Sequence, residues 1–317
     1  MKRKRPIALI STGLIVCVLT LVSVPVLNFT VHKPGRAVLT YFKALENHDT
    51  HRALSMLDIP SNTNLNGVTD DILSGAASVP RQAKVLDSTR VNDDAYNVKI
   101  SYVQGSDTRE TTFRVKRDER TFGTVQKWYI KLDQWPVITI DTGGVPTAQL
   151  NGVSVPAGET PVLFPVTYTV GFNSTYLRSD LQTVDVTEPD TTSAVHLTGK
   201  PTPELTKKVS EILKKQIDQC VKEKTLMPAD CSFGKETTNQ ILGDVKWSVK
   251  SYPNVTLENG ASGIEMAPAN VELTVSGKQR DAVTAFESTF TDTVTARMRA
   301  QVRIEGNNVT VVQEEAE

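Results

Sequence analysis

Tyr96-Asn97-Val98-Lys99-Ile100-Ser101-Tyr102 alternates large apolar with polar residues at every step. Side chains of a strand point to opposite faces with a period of two, so this run is a strand with one buried face. The same period continues on its C-terminal side. Phe113 and Val115 repeat it, and Trp128, Ile130 and Leu132 alternate with Lys127, Tyr129 and Lys131. Gly105-Ser106-Asp107 and the polar stretch 117–123 supply the turns between these runs. Residues 84–140 therefore read as an antiparallel sheet with one solvated face.

Upstream of this sheet the period changes. Pro34-Gly35 opens a segment with Val38, Tyr41, Phe42 and Leu45 at i, i+3, i+4, i+7, the apolar face of a helix. Asn47-His48-Asp49 interrupts it, and Asp49 is placed to cap a second short helix carrying Ala53, Leu54 and Leu57. Thr69, with Asp70 and Asp71 in the following turn, starts a third. Helices followed by a sheet predict an α+β domain over 34–141.

A small β module is expected over 142–187. Asn151-Gly152 between Ala148-Gln149-Leu150 and Val153-Ser154-Val155 is a type I′ hairpin signal, and Val166 to Val170 is a further strand. The polar segment 188–201 reads as a linker. Thr202 as N-cap and Pro203 in the first turn then open a long helix. Its apolar stripe is Leu205, Val209, Ile212, Leu213, Ile217, Cys220 and Val221. Strands follow at 245–251, 254–258 and 271–276, with a long one or two between Ala285 and Val312. Residues 202–317 thus form a second α+β domain in this reading.

The N-terminus carries a different signal. Lys2, Arg3, Lys4 and Arg5 precede an uncharged apolar run from Ile7 to Leu27. About 20 apolar residues span the ~30 Å hydrocarbon core of a bilayer as a helix. Cations on the short side keep that side in the cytoplasm. Residues 1–29 are therefore expected to be a cytoplasmic tail and transmembrane helix, with everything after Phe29 extracytoplasmic. A cleaved signal fits less well, because Ser23-Val24-Pro25 is a poor exit site.

Charge and cysteines narrow the function classes. The chain has 317 residues, 35 Lys plus Arg and 36 Asp plus Glu. Without the four cations of the tail the balance is 31 against 36, a net charge near −5. That leaves no electrostatic footprint for nucleic acid. Outside the apolar run the cysteines are Cys220 and Cys231, a pair that an oxidising compartment would join as a disulfide.

Catalytic signatures are sparse. Nucleophile elbows, HExxH, CxxC pairs, Walker loops and GxGxxG do not occur. Ser232-Phe233-Gly234-Lys235 matches the S-x-x-K of penicillin-interacting enzymes, in which the lysine activates the serine. Its S-x-N and K-T-G companions do not follow. His48, Asp49 and His51 cluster at a helix–helix turn, where capping is the plainer role. No catalytic, cofactor-binding or metal-binding residue is assigned, and no cofactor is expected.

Three segments carry resemblances. Ala37-Val38, Tyr41-Phe42, Ala44-Leu45, Asp49 and Ala53-Leu54, with Lys127-Trp128-Tyr129-Ile130, resemble the helices and late strands of NTF2-like domains. That likeness implies a cone able to enclose a ligand. Leu150-Asn151-Gly152, Gly158-Glu159-Thr160-Pro161 and Phe164 to Val170 are similar to a PEGA-type β module, although Val166 stands where that module has a glycine. Cys231-Ser232-Phe233-Gly234, Val245-Lys246-Trp247-Ser248 and Tyr252-Pro253 resemble uncharacterised membrane-anchored proteins of actinobacteria.

The combined expectation is a non-enzymatic, single-pass, membrane-anchored binding or accessory protein of the cell envelope. Its partners would be the membrane it spans and an envelope protein or cell-wall polymer. A small-molecule binder using the NTF2-like cone is the alternative, and an enzyme the remote one.

Overall fold

A computed structural model describes residues 33–59, 63–117, 127–260 and 263–315. The expected cytoplasmic tail and transmembrane helix of residues 1–29 lie outside these. Among the described residues no helix is long and apolar enough to cross a membrane.

In chain order the elements begin with α1 (Pro34–Glu46), α2 (Thr50–Leu54), β1 (Leu57–Asp58), α3 (Asp70–Ser74), β2 (Arg81–Asn92), β3 (Ala95–Gln104), β4 (Asp107–Arg117) and β5 (Trp128–Lys131). Short strands follow: β6 (Val137–Asp141), β7 (Thr147–Leu150), β8 (Val153–Pro156), β9 (Gly158–Pro161), β10 (Val166–Gly171), β11 (Leu177–Arg178), β12 (Gln182–Val186), β13 (Thr192–His196) and β14 (Lys200–Pro201). The last part holds α4 (Pro203–Cys220), β15 (Gln240–Ile241), β16 (Lys246–Ser251), β17 (Leu257–Gly260), β18 (Gly263–Arg280), β19 (Glu287–Glu305) and β20 (Asn308–Glu315).

The α+β expectation is corrected here. Of the described residues about 50% are strand and 15% helix, so the chain is mostly β with a curled sheet. Periodicity located the helices, but α2 and α3 are five residues each. β18 extends well beyond the strand expected at 271–276, whereas β19 falls where a long strand was expected within 285–312. β18 and β19 run to 18 and 19 residues; Val271, Leu273 and Val275 recur with period two in the first, and Thr289, Thr291, Thr293 and Thr295 in the second, a pattern that suits a pleated surface.

The chain divides into two compact units. One holds the described residues up to Gly171 together with Leu181–Leu197. The other holds Phe172–Asp180 and the described residues from Thr198 onward.

In the first unit α1 packs on a sheet of order β1-β5-β4-β3-β2. Val38, Tyr41, Phe42 and Leu45 are buried, as are Val98, Ile100, Tyr102, Phe113 and Val115 of the sheet's inner face. Phe42 meets Tyr102 and Phe113 with ring centroids 5.1 and 5.5 Å apart, and Phe164 stacks on Phe113 at 5.8 Å. These rings fill the space between helix and sheet.

Two smaller sheets, β12-β10-β7-β8 and β13-β6-β9, complete this unit. β13 pairs parallel to β6, so part of the expected linker 188–201 is a strand. The Asn151-Gly152 turn has positive φ at both residues, 51° and 83°, the type I′ geometry that its sequence predicts. Asn151 is also buried. Its Nδ2 donates to the Ile72 carbonyl at 2.7 Å, and its Oδ1 accepts from the Thr169 N–H at 2.7 Å. Gly75 passes so close that a Cβ there would lie 2.5 Å from the Asn151 carbonyl oxygen.

In the second unit α4 lies against the sheet β15-β18-β19-β20, with β16 and β17 also paired to β18. Thr202 caps the helix by accepting from the Leu205 N–H. Leu205, Val209, Leu213 and Ile217 pack with Trp247, Val271, Leu273, Val275, Met298 and Ala300 as one core. Burying such side chains contributes about 1.5–3 kcal/mol each before the entropy of ordering is subtracted.

Candidate functional site: a groove beside the cysteine pair

α4 ends at Cys220, and the irregular segment after it returns Cys231 to the same place. The two sulfurs stand at disulfide distance, 2.02 Å, with Cα atoms 6.0 Å apart. This pair holds the segment 228–232 against the last turns of the helix. An open groove of about 740 Å³ results, lined by residues of α4, of that segment and of the end of β20.

A chain of hydrogen bonds forms one wall. The Ser232 hydroxyl donates to Gln313 Oε1. Gln313 Nε2 donates to Gln216 Oε1 at 2.8 Å, and Gln216 Nε2 donates to the Val311 carbonyl at 3.3 Å. Helix, loop and strand are thereby fixed to each other by side-chain amides. Glu223, Asp230 and Glu314 also line the groove, and among the described residues no Lys or Arg does. The chemistry on offer is carboxylate and amide, which accepts hydrogen bonds from hydroxyl, amide and amino groups and attracts cations.

The two residues of the Ser-x-x-Lys match are committed elsewhere. Ser232 sits in an irregular segment, not at a helix start, and its hydroxyl is given to Gln313. Lys235 forms an ion pair with Asp292 at 3.0 Å.

The His48, Asp49 and His51 cluster performs local duties at the α1–α2 turn. Asp49 accepts from the Arg52 N–H at 2.8 Å as the N-cap of α2. His48 adopts φ 57° and its Nδ1 lies 3.0 Å from the Leu73 carbonyl. Asp70, in the next helix, accepts from both the N–H and the hydroxyl of Thr50, and these bonds hold its carboxyl below the usual range. Among the described residues no group of three or more His, Cys, Asp or Glu could hold a metal ion.

Trp247, Tyr41 and Tyr168 serve structure as well. Trp247 donates its indole N–H to the Thr225 carbonyl at 2.8 Å and packs on Phe233. In the first unit the Tyr41 hydroxyl donates to the Phe164 carbonyl, and the Tyr168 hydroxyl donates to the Leu163 carbonyl at 2.9 Å. Burial pushes both phenols far above their ordinary titration range.

Gln216 and Gln313 carried no signal in the sequence. Gln216 falls between Lys215 and the buried Ile217, where a polar residue on a helix is unremarked. Gln313 lies 97 residues away along the chain.

Comparison of the chain with known protein families, curated proteins and solved structures returned no match.

Proposed function

We infer that this is a membrane-tethered, extracytoplasmic binding protein without catalytic activity, and that the groove of its second unit engages a cell-wall polymer. The observation that carries the reading is the lining of that groove. Three carboxylates and three glutamine amides (Gln216, Gln219 and Gln313) face an open cleft that, among the described residues, no lysine or arginine lines. A wall polymer rich in hydroxyl, amide and free amino groups complements such a surface. The tether is argued from the apolar run Ile7 to Leu27 behind four cations, a pattern that supports a wall-side location for the groove.

Cosedimentation of the full chain in detergent micelles with purified wall polymer tests this. The expected result is binding that weakens as salt rises, since exposed charges are screened over ~8–10 Å. Replacing Glu223→Gln, Asp230→Asn and Glu314→Gln together should weaken it by about tenfold, equivalent to about 1.4 kcal/mol. Absence of binding, or equal binding by the triple variant, would overturn the reading.

A further inference from the structure

β19 is longer than the strand that covers it. β20 pairs with it only from Met298 to Glu305. From Glu287 to Arg297 its inner edge is bonded to β18, and no strand is paired to its outer edge among the described residues. Such an edge presents free N–H and C=O groups and invites another strand.

Which residues present those groups follows from the hairpin at its far end. Glu305 pairs with Asn308 across the two-residue turn Gly306-Asn307, in which Gly306 has φ 60°. The closing pair of a two-residue hairpin exchanges both of its hydrogen bonds, so Glu305 faces β20. Orientation alternates along a strand. The outward groups on the open stretch are therefore those of Glu287, Thr289, Thr291, Thr293, Thr295 and Arg297.

The other long edges of the molecule are guarded. β2, at the border of the five-stranded sheet, is interrupted by three register shifts. The outer edge of β20 is engaged by Gln216, which donates to Val311. The open stretch of β19 pairs with β18 without a shift from Ala269–Met298 to Arg280–Glu287, and has neither protection.

We propose that this stretch pairs antiparallel with the same stretch of a second copy of the chain, about a twofold axis at Asp292. The sequence of the edge is self-complementary in that register. Glu287, which Arg280 of its own chain already engages, faces Arg297 of the second copy, and Arg297 makes no ion pair among the described residues of a single chain. Thr289 faces Thr295 and Thr291 faces Thr293, cross-strand pairs of a kind that stabilises antiparallel strands. On the inner face Phe290 meets the half-buried Val294. The two Asp292 carboxylates meet at the axis, where each already has Lys235 at 3.0 Å. Because β19 offers one open edge per chain, isologous pairing closes at two copies and leaves no edge for further growth.

The outward N–H of Thr291 plays no part in pairing with β18, so Thr291→Pro removes a bond to the second copy while leaving the ladder within the chain intact. The full chain in detergent should sediment as a dimer at micromolar concentration, and Thr291→Pro as a monomer with the same melting temperature. Arg297→Glu should dissociate the dimer, and Glu287→Arg added to it should restore it. In a Cys17→Ser background, Asp292→Cys should form a disulfide between two copies on mild oxidation, since that residue faces itself only in this register. A monomeric wild type, a dimer that persists in Thr291→Pro through contacts of the N-terminal segment, or capture of a different protein's strand by a monomeric chain would each overturn the proposal.

Discussion

Gln313 Nε2 donates to Gln216 Oε1 across 2.8 Å, joining the last strand to the long helix of the second unit. Ser232 completes the link from the loop side. Gln313→Leu keeps the volume but removes both bonds, leaving the Ser232 hydroxyl and Gln216 Oε1 without their partner. Such losses cost about 1–3 kcal/mol where the groups are sheltered from water. Urea unfolding should show that decrease, and polymer binding should fall with it. An unchanged midpoint would mean that water replaces the relay at no cost.

The cysteine pair closes a loop with a sequence separation of 11. Constraining a loop of that length stabilises by roughly 2–3 kcal/mol in the chain-entropy account. Cys220→Ser and reductant should lower the unfolding midpoint of the second unit by the same amount, and reductant should not affect the variant further. Equal midpoints with and without reductant would show that the pair is not bonded in the isolated protein.

Tyr41 and Tyr168 predict alkaline lability. Their folded pKa values are raised by burial above the ordinary value near 10. The unfolded chain therefore releases these protons first as pH rises. Their contribution is fully present below about pH 10 and is lost as pH climbs toward the folded values. Denaturant unfolding between pH 8 and 11 should show stability falling at the upper end. Tyr41→Phe should flatten that slope while lowering stability at pH 8 by about 1–3 kcal/mol, since the Phe164 carbonyl is left unpaired.

Asn151 is a turn residue with tertiary duties. Asn151→Gly keeps the positive φ of the turn but gives up the bonds to Ile72 and Thr169, at a cost of about 1–3 kcal/mol. Asn151→Ala adds the strain of a left-handed conformation, roughly 1 kcal/mol more. Thermal melts of the two variants should rank in that order, and equal melts would show that the side-chain bonds count for little.

Several parts of the fold were readable because their causes are local. The i, i+3, i+4, i+7 face of α1, the Thr202 cap of α4 and the alternation in β3 and β4 each reflect one period of one segment. The Asn-Gly turn and the approach of Cys220 to Cys231 also depend on short separations. Strand content was underestimated at 192–196, where Thr192-Ser193-Ala194-Val195-His196 carries a single large apolar residue and so shows no alternation. Nothing in 188–201 announced β13, which exists because β6 offers it a parallel edge 55 residues upstream.

What the sequence determined alone was the set of faces: which residues of each helix and strand turn inward, where the turns fall, and which cysteines meet. Those follow from periods of 3.6 and 2 and from the chemistry of single turn residues. What only the tertiary structure decided was which faces and edges meet. The Gln216–Gln313–Ser232 relay, the acidic groove beside the cysteine pair, and the open edge of β19 all depend on segments tens of residues apart. Their free energy comes from hydrogen bonds and burial between such segments, and no local pattern records a bond whose partner lies 97 residues away.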